Sequence, residues 1–226
     1  MKDRSLFDII GPIMIGPSSS HTAGALKIGK IARRFVNKKI VKAEFLLHGS
    51  FLETYKGHGT DKALIAGVLG FETYDERIRD SEIEAKKAGI EIVFGGADLG
   101  RVHPNTVKII LTFEDNEQFF LIGSSIGGGQ IEIVDINGFE VSFSGEYPSI
   151  FIKHKDKVGI ISKVTTILGM YFQMNIANMH ISRKLKGESA FSIIEVDENI
   201  TEELLTKLKM IEEIEQIRHF NPQGGI

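Results

Sequence analysis

The last third of the chain alternates between two hydrophobic periods, and this alternation constrains its fold more than any other feature. Stretches rich in β-branched and aromatic residues, typical of strands, occur at 149–153, 175–185, 190–196 and 214–220. Between them, apolar residues recur at three- and four-residue steps over 157–172 and 201–210, as in helices with one buried face. Thr201 is the expected N-cap of the second helix. The order β-α-β-β-α-β predicts a ferredoxin-like domain.

The preceding residues have a less regular pattern, which predicts a separate α+β domain. Helices are predicted at 22–36, 60–70 and 81–88. Strands are predicted at 41–47, 90–94, 107–114, 118–123, 131–136 and 139–144. The turn pair Asn137-Gly138 is expected to join the last two strands. A change in composition near Gly145 places the boundary between domains 1–146 and 147–226.

Charge and hydropathy limit the class of partner. The chain has 226 residues and a formal net charge of −3. Because nucleic-acid binding requires a basic excess, we expect no nucleic-acid partner. No apolar run approaches the ~18 residues that span a bilayer, and the first residues lack the apolar core of a signal peptide. We therefore expect no membrane association and a cytoplasmic location.

The chain contains no Cys. This excludes disulfides, a Cys nucleophile, a zinc ribbon and any thiolate-held iron–sulfur cluster built from this chain alone. The histidines also lack the helical i,i+4 spacing of an HExxH metal site. We therefore expect this chain to supply no metal ligand.

The segment Gly16-Pro17-Ser18-Ser19-Ser20-His21-Thr22 stands directly before the first predicted helix. Free backbone N–H groups at a helix N-terminus attract a carboxylate or phosphate. His21 could act there as an acid or a base, because the ordinary pKa of histidine is near neutrality. The alternative role is helix capping, which needs one serine. Three serines and a histidine therefore favour a binding site.

Two further segments carry histidine beside glycine. His58 stands between Gly57 and Gly59 just before a predicted helix, and glycine lets the backbone approach a ligand closely. Thr60 or Asp61 would cap that helix in the alternative interpretation. His48, which begins the segment His48-Gly49-Ser50, is a weaker candidate of the same kind. We interpret both segments as loops.

Two polar segments adjoin predicted strands. The first is His103-Pro104-Asn105-Thr106, which could equally be an ordinary turn. The second, Ser124 to Gln130, contains Gly127, Gly128 and Gly129, whose successive N–H groups could bind one anion. A wide flexible turn is the alternative for this second segment, and it matches no dinucleotide or Walker pattern.

These motifs together resemble the β subunit of bacterial iron–sulfur-dependent L-serine dehydratase, also called L-serine ammonia-lyase. The residues that carry the resemblance are Ser5-Leu6-Phe7-Asp8, Gly16 to Thr22, His48-Gly49-Ser50, Gly57 to Asp61, His103 to Thr106 and Ser125 to Gly129. The second half resembles an ACT domain, an amino-acid-sensing module. The first half is also similar to the allosteric substrate-binding domain of some serine-controlled phosphoglycerate dehydrogenases.

The resemblance implies a reaction that converts L-serine into pyruvate and ammonia. In that family a base removes the α proton, and one iron of a [4Fe-4S] cluster assists departure of the hydroxyl as a Lewis acid. The cluster needs thiolates, which this chain lacks. The resemblance therefore implies that a separate α subunit holds the cluster, that the active site lies at the α–β contact, and that this chain alone is inactive.

The resemblance also implies roles for individual residues. His21 is the first candidate for proton transfer, with His58 as the second. The expected substrate-binding residues are Ser18, Ser19, Ser20, Thr22, Thr60, Asp61, His103 and Asn105. The serines with Thr22 would bind the substrate carboxylate.

In the ACT half, His154, Asp156 and Asn175 match positions at which serine-sensing ACT domains bind the amino acid. Gly159 would allow close approach at the helix start, and two β chains would pair through their ACT domains. The alternative for this half is a purely architectural domain. The alternative for the whole chain is a non-catalytic amino-acid-sensing protein, and a Ser–His hydrolase is disfavoured because no nucleophile elbow is present.

Overall fold

The chain divides into two compact units after Gly138, and a computed structural model describes residues 13–222. The predicted motif Ser5-Leu6-Phe7-Asp8 lies outside the described residues. Within residues 13–222, no helix is both long and apolar enough to cross a membrane. The domain boundary expected between residues 146 and 147 stays a prediction.

In the first unit, one α-helix precedes the first strand in sequence, and the other α-helices lie between the first and second strands. A π-helical turn, Ser19–Gly24, runs directly into the first α-helix, and a 3-10 turn covers Glu76–Asp80. The α-helices are α1 (Ala25–Arg34), α2 (Gly49–His58), α3 (Thr60–Leu69) and α4 (Ser81–Lys87). The prediction of loops is wrong for Gly49-Ser50 and for Gly57-His58, because these residues are the two ends of α2.

The strands of the first unit form one sheet in the order β2-β1-β3-β4-β5. They are β1 (Ile40–His48), β2 (Glu91–Gly96), β3 (Thr106–Phe113), β4 (Gln118–Gly127) and β5 (Gln130–Ile136). β1 pairs with β2 in parallel, and the other pairs are antiparallel. Strand β4 extends further than predicted, so only Gly128 and Gly129 form the turn before β5.

Helices α1 and α3 pack together at two glycines. A methyl group at Gly67 would stand 2.2 Å from the carbonyl oxygen of Leu26, and one at Gly29 would stand 2.6 Å from that of Leu64. The two backbones are therefore in direct contact, which only glycine allows. Because α1 follows the π-helical turn and α3 follows α2, this contact fixes Ser19–Gly24 relative to the end of α2.

The second unit begins with β6 (Phe139–Phe143) and contains a four-stranded sheet in the order β10-β7-β9-β8. Its further elements are β7 (Ser149–Lys155), α5 (Ile160–Thr166), β8 (Ile176–Arg183), β9 (Ser189–Val196), α6 (Glu202–Lys209) and β10 (Ile214–Phe220). The predicted β-α-β-β-α-β order and the α+β class are confirmed. Thr201 caps α6 by accepting a hydrogen bond from the N–H of Leu204 at 3.3 Å.

The two faces of this four-stranded sheet are covered differently. Ile150, Ile152 and Ile194 point towards the helices and form the core with α5 and α6. Phe151 and Ile193 lie on the opposite face and are also buried. β6 contributes to that face, because the ring of Phe143 contacts Phe151 edge-on at 5.1 Å between ring centroids.

Candidate functional site

The π-helical turn Ser19–Gly24 positions His21. Ser18 precedes it in an extended conformation, and its Oγ accepts a hydrogen bond from the N–H of His21 at 3.3 Å. A π-helical turn is rare and is often found at functional sites. Ser19 and Ser20 are half-buried within the turn. The predicted capping role of one serine is therefore real, and two further serines remain beside His21.

Both ring nitrogens of His21 face hydroxyl groups. The Oγ of Ser18 lies 3.5 Å from Nδ1, and the Oγ of Ser50, in the first turn of α2, lies 3.4 Å from Nε2. The ring also contacts Phe51 edge-on at 5.3 Å between centroids. These contacts orient the imidazole from two separate elements of the fold.

His58 completes a pair of imidazoles. It is the last residue of α2, is exposed, and its ring centroid lies 4.7 Å from that of His21. Burial of His21 lowers its pKa, and the like charge that His58 can carry lowers it further. The lowered pKa favours the neutral form of the His21 ring, which is the form that accepts a proton.

The start of α3 adds two further predicted residues. Thr60 is fully buried, and its Oγ1 has no hydrogen-bond partner among the described residues. Asp61 is half-buried, and burial raises the pKa of its carboxyl group although the N–H of Lys62 donates to Oδ1 at 2.8 Å. Gly59 links α2 to α3 with a φ of 69°, so the two helices can meet at a sharp angle.

The segment His103-Pro104-Asn105-Thr106 leads into β3. The N–H of Asn105 donates to Nδ1 of His103 at 3.1 Å, and the hydroxyl of Thr106 lies 2.7 Å from that of Ser124. The carbonyl of Asn105 accepts from the N–H of Ser125 at 2.9 Å. These bonds tie the segment to β4.

Strand β4 in turn reaches the π-helical turn. A methyl group at Gly24 would stand 2.1 Å from Oγ of Ser125, so that side chain lies directly against the turn. The structure thus connects Asn105 to the His21 region through Ser125. His103 itself is exposed.

The glycines at the β4–β5 junction form a tight turn. Gly127, Gly128 and Gly129 all have positive φ, at 104°, 63° and 77°. The carbonyl of Gly129 accepts a hydrogen bond from Nζ of Lys27 at 2.7 Å. Binding of an anion by this turn stays a prediction.

His48, at the end of β1, has a local contact of its own. Its Nδ1 accepts a hydrogen bond from the N–H of Leu99 at 3.2 Å. This bond holds the segment after β2 against the end of β1, and a site role for His48 stays a prediction.

Sequence reasoning missed four residues of the first unit that surround the histidine pair. Ser50 stands in the segment His48-Gly49-Ser50, which is interpreted as a loop without a role for the serine, and Phe51 belongs to no motif. Lys62 and Arg79 line a cleft beside His58, and isolated cations on helices give no signal in a sequence pattern.

The predicted ligand residues of the second unit make contacts within the chain. His154 is buried, and its Nε2 lies 2.9 Å from Oγ of Ser192. Asp156 accepts hydrogen bonds from Arg183 and from the N–H of Gly187, both at 2.9 Å, and both lower the pKa of its carboxyl group.

Asn175 directly precedes β8, and Gly159 directly precedes α5. The side-chain amide of Asn175 donates to Asp197 at 2.6 Å. Gly159 has a φ of 88° and open space on the side where a methyl group would stand. Ligand binding by these residues stays a prediction.

The donors around His21 do not fit an iron–sulfur cluster. They are hydroxyl oxygens and imidazole nitrogens, whereas such clusters are held mainly by thiolates. Across residues 13–222, no three His, Asp or Glu side chains are grouped so that they could hold a metal ion.

These features define a class of protein: an α+β unit with a histidine pair, followed by a ferredoxin-like unit. Residues 5–92 match the serine dehydratase beta chain family, and residues 149–213 match the ACT domain. The chain is 48% identical to the probable L-serine dehydratase beta chain of Bacillus subtilis over 96% of its own length and 98% of that protein. It is 43% identical to the L-serine dehydratase beta chain of Peptoniphilus asaccharolyticus, over 94% and 96% of the two chains.

The chain belongs to the L-serine dehydratase β-chain family. A more distant similarity joins it to the D-3-phosphoglycerate dehydrogenase of Methanocaldococcus jannaschii, at 27% identity over 86% of this chain and 36% of that protein.

Proposed function

We propose that this chain is the β subunit of an L-serine ammonia-lyase that forms pyruvate and ammonia together with an α subunit. The observation that carries the proposal is His21, an imidazole held between the hydroxyls of Ser18 and Ser50 and next to His58. The near full-length identity to two L-serine dehydratase beta chains supports the same reaction.

In the proposed reaction, His21 accepts the α proton of L-serine and His58 passes that proton towards solvent. The Cβ–O bond then breaks, and the leaving hydroxide takes one proton from solvent, which replaces the α proton released there, so that it departs as water. The resulting aminoacrylate becomes an imine, which adds water and releases ammonia, so that one serine yields one pyruvate and one ammonia. The remaining polar residues, which include Ser19, Ser20 and Asn105, would bind and orient the substrate.

The cofactor of the proposed reaction is a [4Fe-4S] cluster held by the α subunit. The absence of Cys from this chain and the hydroxyl and imidazole donors around His21 support this division of labour. We expect this chain, purified alone, to be colourless and inactive. A brown chain that retains iron and sulfide without its partner would contradict the assignment.

The reaction is tested with the chain and a Cys-bearing candidate α subunit, co-expressed and reconstituted without oxygen. Pyruvate formation from L-serine is the expected result. His21→Ala should lower kcat by about 100-fold or more, as expected for loss of a general acid–base group. His219→Ala, an exposed histidine on β10, is the matched control and should leave kcat unchanged. Unchanged kcat in an assembled His21→Ala complex would remove His21 from proton transfer.

A second candidate function is amino-acid sensing without chemistry. The similarity of this chain to one third of a D-3-phosphoglycerate dehydrogenase favours it. Under this alternative the complex would bind L-serine without forming pyruvate.

The second unit is proposed to pair with that of another β chain and to bind an amino acid. The N–H groups at the start of α5 would take the carboxylate, since Val158 and Gly159 are exposed. Asp156 would then exchange its contacts with Arg183 and Gly187 for the ligand ammonium. His154 or Asn175 would bind the ligand side chain. Sedimentation of the full chain tests the pairing, and calorimetry with L-serine tests the binding of an amino acid. A chain that stays monomeric and binds no amino acid would contradict both proposals.

A further inference from the structure

A cleft of about 320 Å³ opens beside the histidine pair, within the first unit. Thr22 of the π-helical turn and His58 of α2 line it on one side. Lys62 of α3 and Arg79 of the 3-10 turn Glu76–Asp80 line it as well. Its volume is at the lower end of the range for small-molecule sites, so a compact metabolite with some water would fill it.

The charge of this cleft is one-sided. Of the described residues that line it, two are cations and none is a carboxylate. Among residues 13–222, neither Lys62 nor Arg79 has an ion pair, whereas the nearby Arg77 is paired with Asp75. Asp61 precedes Lys62 in sequence but does not line the cleft. The cleft therefore attracts an anion and offers no partner for an ammonium group.

A buried hydroxyl also lacks a partner at this cleft. Thr22 is 2% exposed, and its Oγ1 forms no hydrogen bond with the described residues. An unpaired buried hydroxyl costs about 1–3 kcal/mol, so such groups are commonly satisfied by a ligand or water. A methyl group at Gly16 would stand 2.4 Å from Oγ1 of Thr22, so the glycine is needed for the chain to pass this close.

We propose that this cleft is the carboxylate subsite of the active site, with Lys62 and Arg79 as its charged ligands and Thr22 as a hydrogen-bond donor. The assignment rests on the proposed function, since it names the residues that hold the substrate for His21. His58 lines the cleft and its ring contacts that of His21, so the α carbon of a molecule bound there would lie next to the histidine pair. The required substrate feature is one small carboxylate, and the ammonium group must be recognised elsewhere.

The first test uses the full chain without an α subunit. It follows the NMR resonances of the His58 ring while a probe is added. The probes are 3-hydroxypropionate, which is L-serine without its ammonium group, and ethanolamine, which is L-serine without its carboxylate. At constant pH and ionic strength, 3-hydroxypropionate should shift the His58 resonance saturably and ethanolamine should not. An equal response to both probes would overturn the proposal.

Three variants show which residues cause the effect. The double variant Lys62→Met/Arg79→Met should abolish the response to 3-hydroxypropionate, while Lys86→Met, an exposed lysine of α4 outside the cleft, should keep it. Arg79→Lys keeps the charge and should retain most of the response. An unchanged response in the double variant, with an unchanged urea midpoint, would overturn the assignment.

The reconstituted complex supplies the second readout. Each Met substitution should raise KM for L-serine about tenfold or more, the effect of losing one charge-assisted hydrogen bond, with a smaller change in kcat. KM values equal to that of the unsubstituted complex would overturn the subsite. A complex that forms no pyruvate would instead overturn the proposed function, and the His58 titration would still decide the subsite.

Discussion

Replacement of Gly67 by Ala tests whether the α1–α3 contact holds the first unit together. The added methyl group would stand 2.2 Å from the carbonyl oxygen of Leu26, 2.8 Å from the backbone N of Lys30 and 2.9 Å from the Cα of Gly29. All three are backbone atoms, which cannot move away as a side-chain tip can. The helices must therefore separate by about 1 Å to restore van der Waals contact.

The expected cost follows from two opposing effects. Overpacking of a core typically costs about 1–3 kcal/mol, and backbone contacts place Gly67→Ala at the upper end. Alanine is favoured over glycine in a helix by about 1 kcal/mol. The net loss of unfolding free energy should therefore be about 2 kcal/mol, a large part of the ~5–15 kcal/mol typical of a domain.

Urea unfolding followed by far-ultraviolet circular dichroism measures this loss. The matched control is Gly57→Ala in α2, because a methyl group there meets no atom within 4 Å. The control should be neutral or stabilise the chain by up to about 1 kcal/mol. A Gly67→Ala chain that unfolds at the same urea concentration as the control would refute the argument. In the active complex the same substitution should also lower kcat, since it shifts His21 relative to His58.

Four further predictions concern single residues. The acidic limb of kcat/KM should have an apparent pKa below the ~6.5 of free histidine, because burial and His58 lower the pKa of His21; a limb above 7 would contradict this. Because the pKa of His21 is lower in the folded chain than in the unfolded chain, the unfolded chain binds the proton more readily. The melting temperature should therefore fall as the pH is lowered below about 6.5, and this part of the fall should be absent in His21→Ala. Thr201→Ala should cost about 1 kcal/mol in urea unfolding through loss of the α6 N-cap. Asp156→Asn should lower the melting temperature at pH 7, because the Gly187 N–H and Arg183 stabilise the Asp156 carboxylate and so lower its pKa. The difference between the two chains should vanish in acid, where the carboxyl group of the folded chain is protonated and this stabilisation is lost.

The fold of the second unit could be predicted because each element carries its own period. The strand at residues 214–220 was predicted with the bounds that the structure has, and Thr201 caps α6 as expected. Asn137 and Gly138, which directly precede this unit, also have the positive φ values, 51° and 79°, that such a turn pair indicates. Local preferences and tertiary packing agree at these positions, so the sequence was sufficient.

Helix α2 could not be predicted, because its residues have little hydrophobic periodicity and Phe51 is its one buried residue. Its helical state depends on tertiary contacts, which include the bond from the N–H of Phe51 to the carbonyl of Pro104. The same reason hid Ser50. His21 and His58 were predicted as candidates from their neighbours, but their 4.7 Å approach depends on helix packing that no local pattern encodes.

The π-helical turn before α1 has a consequence for how this site can change over time. A π-helical turn contains one residue more than an α-helical turn, so deletion of one residue would convert it into regular helix. The residues before the deletion would then rotate by about 100° around the helix axis, since each residue of an α-helix accounts for that angle. Such a deletion would leave α1 and its core contacts in register but turn Ser18, and with it the imidazole of His21, away from Ser50. Under the proposed function, such a deletion would leave the fold intact but remove the proposed proton transfer, so that the chain would keep only a possible role in sensing.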